Sequence, residues 1–233
     1  MTHPPGHAVL PIEGGWDQLL YTAAGTMRVS TAAGAWTVPP SRALWLPGDT
    51  PATITSRFRV VVRTLYIAAD LRALPPIARM VDMSDLVREL VLHAVRACPL
   101  DIDEPRDHAL LTVLFDQLRA LPDGGLWLPS PTSTPAARAA AELIGRHPAM
   151  SLADVADAVA TSRRTLERVF RADTGFGLGA WRRRSRLLTS LEYLAAGRSV
   201  TETATALGYS APSAFVVAFT REFGHTPRTF MQR

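Results

Sequence analysis

The stretch SLADVADAVATSRRTLERVFRADTG, Ser151–Gly175, is followed later in the chain by a second stretch of the same pattern, SVTETATALGYSAPSAFVVAFTREFG, Ser199–Gly224. Both stretches open with Ser and carry an acid three residues later, at Asp154 and Glu202. Ser followed at that distance by an acid is typical of a capping box, in which the two side chains satisfy free N–H groups of a helix N-terminus. Each stretch is therefore predicted to begin with a helix.

A second helix is predicted in each copy. A new Ser stands at the twelfth place, Ser162 or Ser210, where it would serve as an N-cap, and each helix ends before Gly175 or Gly224, typical of a C-terminal cap. The second copy holds one extra residue after its Ser. Two short helices joined by a tight turn form the unit that lays a recognition helix in a DNA major groove. The units are predicted at 151–173 and 199–223.

The charge distribution agrees with one half of the chain meeting phosphate. The chain has 233 residues and a net charge of +4, and all of its basic residues are Arg. Residues 134–233 hold 14 Arg against 8 acids, whereas residues 1–133 hold 11 Arg against 13 acids. A basic C-terminal half beside a mildly acidic N-terminal half is typical of a protein with a separate nucleic-acid-binding part.

Composition also predicts the compartment. No run of residues approaches the ~20 apolar residues of a membrane span, and the first residues lack the basic and apolar regions of a secretory signal. Cys98 is the only cysteine, which excludes an intrachain disulfide and favours a reducing compartment. We therefore expect a cytoplasmic protein.

The N-terminal part is predicted to be β-rich. Short runs of Val, Leu, Thr, Trp and Tyr, punctuated by Gly and Pro, indicate strands of a sandwich or degenerate barrel. The predicted strands are Gln18–Thr22, Thr26–Thr31, Ala35–Val38, Ala43–Leu46, Ala52–Thr55 and Arg59–Ile67.

Helical periodicity begins after the strands. Ile77, Val81, Leu86 and Leu90 belong to a helical stripe over 76–97, and a second helix is expected at Arg106–Leu121. The predicted fold class is α+β, with an all-α part of about seven helices at the C-terminus. Its domains are a β domain at 1–68, a helical hairpin packed on it at 69–121 (a candidate dimer surface), a Pro/Gly/Ser-rich linker at 122–135, and a DNA-binding domain at 136–233. Within that last domain, helices are expected at 136–146 and, as a rod of ~27 Å between the two units, at 179–196.

The chain resembles the AraC/XylS family of transcription regulators. The resemblance is carried by both helix-turn-helix units, by ATALGYSAPSAFVVAFTREFG, and by the closing segment FGHTPRTFMQR, Phe223–Arg233. The segments QLLYTAAG and VPPSRALWLP also resemble the small cupin domain of one subgroup. The resemblance implies sequence-specific binding of double-stranded DNA. A small-molecule effector, a homodimer and contact with RNA polymerase are candidate partnerships.

One departure from the cupin pattern concerns metal. The resemblance implies His ligands at places that fall on Ile12, Gly14 and Ala52 in this chain, and none of them is His. Because transition metals need imidazole, thiolate or carboxylate ligands, we expect no metal and no other cofactor. The candidate effector-binding residues are then aromatic or polar: Trp16, Gln18, Trp36 and Trp45.

The predicted DNA-binding residues lie at the start of each recognition helix. Leu166, Val169 and Phe170 form an inward stripe, which leaves Arg164, Thr165 and Arg168 outward. The resemblance places base reading at Arg164, Glu167 and Arg168, and in the second unit at Ser213, Val216 and Val217. An Arg side chain fits guanine, and Val216 and Val217 either contact a thymine methyl or belong to the core. Some of the arginines are expected to hold only phosphate. The full predicted set is Arg163, Arg164, Thr165, Glu167, Arg168, Ser210, Ala211, Pro212, Ser213, Val216 and Val217.

We expect four arginines at the start of the long helix to be divided between phosphate contact and surface salt bridges: Arg182, Arg183, Arg184 and Arg186.

Other functions are kept as alternatives. An enzyme is not expected, because no G-x-S-x-G, G-x-x-x-x-G-K or C-x-x-C motif is present. The alternatives are a metal-independent cupin enzyme or a thiol-based sensor fused to a DNA-binding domain. Cys98, at the end of an apolar stripe, is expected to be a buried, inert thiol.

Overall fold

The computed structural model describes residues 2–9, 15–40, 42–71, 74–120 and 125–232, and it divides the chain into two compact units. Unit 1 comprises 1–29 and 38–126, and unit 2 comprises 30–37 and 127–233. The strands are β1 Thr2–His3, β2 Gly6–Val9, β3 Trp16–Ala24, β4 Met27–Ser30, β5 Gly34–Val38, β6 Arg42–Leu46, β7 Thr53–Ser56, β8 Val60–Ala68, β9 Arg79–Asp82 and β10 Trp127–Pro129. The fold is α+β with two antiparallel sheets.

Unit 1 is organised around a sheet with the strand order β1-β8-β3-β6-β9. In its central register Leu19 lies opposite Leu65 on β8 and opposite Trp45 on β6, so these large side chains share one face. Strands β4, β7 and β2 belong to the second sheet, in which β2 pairs antiparallel with β7. The six predicted strands are confirmed within two residues at each end.

The helices α1 (Asp85–Ala97) and α2 (Pro105–Ala120) cover the Leu19 face of this sheet. Val87 and Leu114, both fully buried, belong to the same apolar cluster as Leu19 and Trp45. Ser84 caps α1 by accepting a hydrogen bond from the Val87 N–H. The core of unit 1 thus joins residues from strands and helices that are distant in the sequence.

The predicted helix over 76–97 is wrong over residues 76–84. Residues Arg79–Asp82 form β9, which pairs with β6 through Val81 opposite Ala43. Ile77, assigned to the helical stripe, is 63% exposed. The apolar period misleads here because Val81 is buried by strand pairing, and the helix begins only after the Ser84 cap.

Cys98 corrects a second expectation. The thiol was predicted to be buried, but Cys98 is exposed. The residue stands at the C-cap of α1, one position past its last helical residue. Ala94 is the last buried residue of α1, and the apolar cluster continues past the helix through Leu100 and Ile102, so Cys98 lies at an exposed turn between two parts of the cluster.

Unit 2 contains a two-stranded piece of sheet in which β10 pairs antiparallel with β5, with Trp127 opposite Trp36. Strand β10 lies inside the segment 122–135 that was predicted to be a linker; residues 122–124 lie outside the described part. The segment is fastened to the helices of unit 2: the Trp181 indole donates to the Pro129 carbonyl (2.7 Å), and Asp173 accepts from the Thr132 and Ser133 N–H groups (2.8 Å each). These backbone hydrogen bonds lower the pKa of Asp173, chiefly through Ser133. Residues 127–133, which look unstructured in the sequence, are therefore held by contacts with helices.

A short 3-10 helix at Ala69–Leu71 follows β8 in unit 1, and the remaining α-helices of the described residues belong to unit 2. They are α3 Pro135–Arg146, α4 Leu152–Ala158, α5 Arg163–Thr174, α6 Leu178–Ala195, α7 Val200–Ala206, α8 Pro212–Phe223 and α9 Pro227–Met231. The predicted helices at 136–146 and 179–196 are confirmed as α3 and α6. Helix α6 buries Trp181, Leu187, Leu188 and Leu191 at its apolar stripe. Among the described residues, no helix combines the length and the apolar character needed to cross a bilayer.

Candidate nucleic-acid interface

Helix α5 is set up by local signals that the sequence displays. The Ser162 hydroxyl accepts from the Thr165 N–H (3.1 Å), which caps the helix start, and Gly175 ends the helix in the left-handed conformation at φ 75°. The predicted inward stripe is confirmed: Leu166 and Phe170 are buried, together with Val169. The opposite face of α5 is consequently turned to solvent.

That outward face carries the positive charge of the first helix-turn-helix unit. Arg163, Arg164, Thr165 and Arg168 are exposed. Thr165 makes a local hydroxyl contact with Ser162 (2.9 Å). Within the described ranges, the three arginines have no hydrogen-bond or ion-pair partner. Their guanidinium groups are thus available to an external acceptor.

Glu167 is placed differently from its neighbours. It is half-buried, and its carboxylate accepts from the Leu178 N–H (3.0 Å) and contacts Arg171 (3.3 Å). Leu178 is the first residue of α6, whose N-cap, Gly177, supplies no side-chain hydrogen bond. A helix N-terminus leaves N–H groups without intrahelical partners, so Glu167 acts as the cap of α6 from the neighbouring helix.

The N-cap predicted for the recognition helix of the second helix-turn-helix unit is wrong by one residue. Ala211, and not Ser210, is the N-cap residue, and Pro212 is the first helical residue. The residue before a proline is held extended, and Ala211 has φ −151° and ψ 147°. The extra residue of the second copy lies in the turn, so Ala211 takes the place of Ser162, and Ser210 lies one residue outside the helix.

The capping boxes also differ between the two helix-turn-helix units. In α7 the Ser199 and Glu202 pair makes both reciprocal hydrogen bonds. In α4 only the Ser151 side chain is seen to accept, from the Asp154 N–H. The reciprocal bond predicted for Asp154 is absent among the described contacts because its side chain is one methylene shorter than that of Glu202.

The two recognition helices share one register after the turn. Phe215 and Phe219 follow Leu166 and Phe170 by 49 residues each, and all four are buried. The same offset pairs Arg168 with Val217, Glu167 with Val216 and Arg164 with Ser213. Val217 is 68% exposed, whereas Val216 is half-buried like Glu167. The outward stripe of α8 therefore contains Ser213 and Val217.

Sequence reasoning missed one member of this stripe. Arg221 is exposed and follows Val217 by one helical turn. It lies beyond the segment in which base contacts were sought. The i, i+4 spacing from Ser213 through Val217 was the signal that identifies it.

The four arginines of α6 were expected to contact phosphate or to form surface salt bridges, but three of them donate hydrogen bonds to backbone carbonyl groups. Arg182 donates to the Ala149 carbonyl (3.4 Å) and to the Met150 carbonyl, and Arg186 Nε donates to the Pro148 carbonyl (2.6 Å). Arg184 pairs with Glu222 and donates to the Trp127 carbonyl (3.0 Å). Burial lowers the pKa of Arg182 and of Arg186. Of the four, only Arg183 is exposed.

Two of the candidate effector residues of unit 1, Gln18 and Trp45, belong to opposite faces of the sheet. On β3 and β6, the Gln18 position lies opposite Leu46, while Trp45 lies opposite Leu19 on the face covered by α1 and α2. Trp16 is 44% exposed. Trp36 belongs to unit 2, with its ring 6.2 Å from that of Trp127.

Of the places implied for metal ligands, Ile12 and Gly14 lie outside the described residues, and Ala52 is buried. Among the residues that are described, no group of three or more His, Cys, Asp or Glu side chains is suited to hold a metal ion.

Comparison with known proteins identifies a helix-turn-helix domain in the C-terminal region. A helix-turn-helix domain family matches residues 155–233. The HTH-type transcriptional regulator NimR of Escherichia coli (strain K12) is 29% identical over 218 residues, which cover 93% of this chain and 80% of NimR. The HTH-type transcriptional regulator RipA of Corynebacterium glutamicum is 36% identical over 105 residues, which cover 44% of this chain and 31% of RipA.

A solved structure is similar to the C-terminal part. It is a transcriptional regulator of Chromobacterium violaceum, named among AraC-type DNA-binding domain-containing proteins. It is 27% identical, with a TM-score of 0.40, over 42% of this chain and 90% of that chain.

Proposed function

Because this chain is a DNA-binding transcription regulator of the AraC family, we propose that α5 and α8 enter two successive major grooves and that α5 does most of the base reading. The observation that carries this proposal is the set of exposed, unpaired guanidinium groups on α5. Helix α6 has 18 residues and so spans about 27 Å at 1.5 Å per residue. Major grooves on one face of DNA lie roughly 34 Å apart, a distance that such a rod and its two flanking helices bridge.

In α5 we assign base reading to Arg164 and Arg168 and phosphate contact to Arg163. Arg164 and Arg168 lie one turn apart on the exposed face, and each guanidinium fits the O6 and N7 acceptors of guanine. Thr165, exposed beside them, supplies a hydroxyl. Glu167 is engaged with the Leu178 N–H. We therefore assign Glu167 to holding α5 against α6.

Arg168→Ala tests the base-reading role. We expect affinity for the preferred DNA site to fall by about 1–3 kcal/mol and the preference at one base position to be lost. The measurement is a titration of the full chain with labelled duplexes in which each base pair is varied in turn. Arg146→Ala is the matched control, because Arg146 is an exposed arginine on α3 that pairs with Glu142. Equal losses on specific and random DNA would identify Arg168 as a phosphate contact.

In α8 we assign weak base reading to Ser213 and Val217. Val217 suits a thymine methyl group, and Ser213 hydrogen-bonds with little base preference. We assign phosphate contact to the backbone N–H groups of Ser210 and Ala211, because a helix N-terminus favours anions; Pro212 has no N–H and only fixes the start of the helix. Arg221 extends the same face with a charge that suits phosphate. Val216 is half-buried, so we assign it to packing and not to base contact.

Selection of binding sites from random DNA tests this division of labour. We expect a strongly specified element and a weakly specified element whose centres lie about one helical turn apart. The full chain is used, because residues 127–133 are fastened to the helices of unit 2 and a fragment from residue 134 would lose these contacts. Equal information in both elements would contradict the weak role assigned to α8.

For unit 1 we propose the cupin-like regulatory part that the sequence resemblance implies. Two antiparallel sheets and a covering pair of helices support it. The enzyme alternative is disfavoured because the relatives are named as transcriptional regulators. An effector, a homodimer through the hairpin 69–121 and contact with RNA polymerase stay predictions. A thermal-shift screen with metabolites and sedimentation of the full chain would test the first two.

A further inference from the structure

We propose that a junction between the two helix-turn-helix units fixes the spacing between the two DNA elements. The junction consists of the loop Pro148–Met150, the turn Gly208–Tyr209, and the α6 arginines Arg182 and Arg186. The inference rests on the proposed binding of α5 and α8 in successive grooves. In this proposal the length of α6 sets the distance between α5 and α8, and the junction sets how the two helices are rotated relative to each other.

The first side of the junction is the loop that leads into α4. Arg186 donates from Nε to the Pro148 carbonyl (2.6 Å). Arg182 donates to the carbonyls of Ala149 and Met150. Hydrogen bonds from a charged donor are stronger than those between neutral groups. Since Ser151 is the N-cap of α4, these bonds fasten the entrance of the first unit to the helix that carries the second unit.

The second side is the turn between α7 and α8. The Arg186 guanidinium lies 5.8 Å from the centre of the Tyr209 ring, a distance at which a cation is attracted to an aromatic face. Gly208 adopts φ +72°, and a Cβ at that position would lie 3.0 Å from the Ala149 Cα. The turn of the second helix-turn-helix unit and the entrance loop of the first therefore lie close together, with Arg186 hydrogen-bonded to the loop and stacked near the Tyr209 ring of the turn.

Burial indicates that these arginines serve the protein and not an external phosphate. Desolvation by burial lowers the pKa of Arg182 and of Arg186, whereas Arg183, between them in sequence, is exposed. Burial also raises the pKa of Tyr209, so its ring faces Arg186 as a neutral phenol. The charge of Arg186 is thus directed into the junction.

The geometric consequence concerns rotation. Helix α6 sets how far apart the units lie, but the connection Ala196–Arg198 at its end includes Gly197 in the left-handed conformation, φ 78°. Contacts away from this connection are needed to stop α7 and α8 from turning about it. The Arg184–Glu222 ion pair ties α8 to α6, and the junction adds a second attachment, because it links the turn of the second helix-turn-helix unit to the entrance loop of the first.

The experiment measures affinity as a function of spacing. The preferred site is first selected with the full wild-type chain, and duplexes are then made with the two elements moved apart or together by one or two base pairs. Arg186→Ala and Gly208→Ala are expected to lower affinity at the preferred spacing by about tenfold, the order expected from loss of one charge-assisted hydrogen bond. Affinity at the altered spacings is expected to change little, so the preference flattens.

Three controls separate the junction from general damage. Gly224→Ala imposes the same kind of left-handed strain, φ +75°, with no atom within 4 Å of the added Cβ, and is expected to keep the preference. Arg183→Ala removes an exposed charge from the same helix and is expected to act equally at every spacing. Tyr209→Phe keeps the ring and is expected to behave as wild type.

Circular dichroism verifies that each variant folds, and Arg186→Met, which retains an apolar stem, replaces Arg186→Ala if the latter does not fold. A wild-type site with two elements, together with an unchanged spacing preference in the junction variants, would overturn the junction alone. A wild-type site with a single element would overturn the two-groove proposal and the junction with it.

Discussion

Trp181→Ala is expected to lower the free energy of unfolding of unit 2 by about 3–5 kcal/mol, the range for deletion of a fully buried aromatic side chain. Trp181 is 1% exposed, and its ring lies 5.2 Å from that of Phe170 in a T-shaped arrangement. Its indole N–H also donates to the Pro129 carbonyl at 2.7 Å. The substitution therefore leaves a cavity under α5 and removes one attachment of β10.

Urea denaturation followed by far-UV circular dichroism measures this effect. Trp181→Phe is the matched control, because it keeps an aromatic ring against Phe170 and loses the indole N–H. We expect the control to cost much less than the Ala variant. A cost for Trp181→Ala below about 1 kcal/mol, the size of an ordinary surface effect, would contradict the burial of this side chain.

Phe219→Ala is the second substitution with a large expected effect. Phe219 is 0% exposed and contacts three other rings, with centroid distances of 5.6 Å to Phe215, 4.6 Å to Phe223 and 5.6 Å to Phe230. Edge-to-face arrangements of this kind add to the stabilisation from burial. We expect a loss of about 3–5 kcal/mol in the free energy of unfolding, because the cluster joins α8 to α9.

Val217→Ala, on the opposite face of the same helix, is the control for this second prediction. Val217 is 68% exposed, so the substitution is expected to change stability by no more than about 0.5 kcal/mol. The measurement is again denaturation of the full chain. Similar losses for Phe219→Ala and Val217→Ala would show that α8 is rotated from the orientation described, and would contradict the assignment of its outward stripe.

Much of the DNA-binding part is readable from the sequence because its signals are local. Ser162 caps α5, Gly175 ends it, and the stripe of Leu166 and Phe170 sets which face is buried. Each signal acts within one or two turns of a helix, so it needs no knowledge of distant residues. The outward arginines of α5 follow from the same period.

The errors arise where a short apolar run has two uses. Val81 satisfies a helical period and a strand equally well, and pairing with Ala43 on β6 decides the outcome. Ser210 matches a capping pattern, yet the extra residue and Pro212 move the helix start by one position. The run around Val81 cannot be resolved by periodicity alone, because Ala43, which decides its structure, lies elsewhere in the chain.

The sequence by itself determined the α+β class, the two helix-turn-helix units, the helix between them and the exposed arginines of α5. Only the tertiary structure decided that residues 127–129 form a strand with β5, that Glu167 caps α6, and that Arg182 and Arg186 hydrogen-bond the loop that leads into α4. The physical reason is the range of the interactions. Caps and helical stripes join residues a few positions apart, whereas these contacts join backbone and side-chain groups that become neighbours only when the chain is folded.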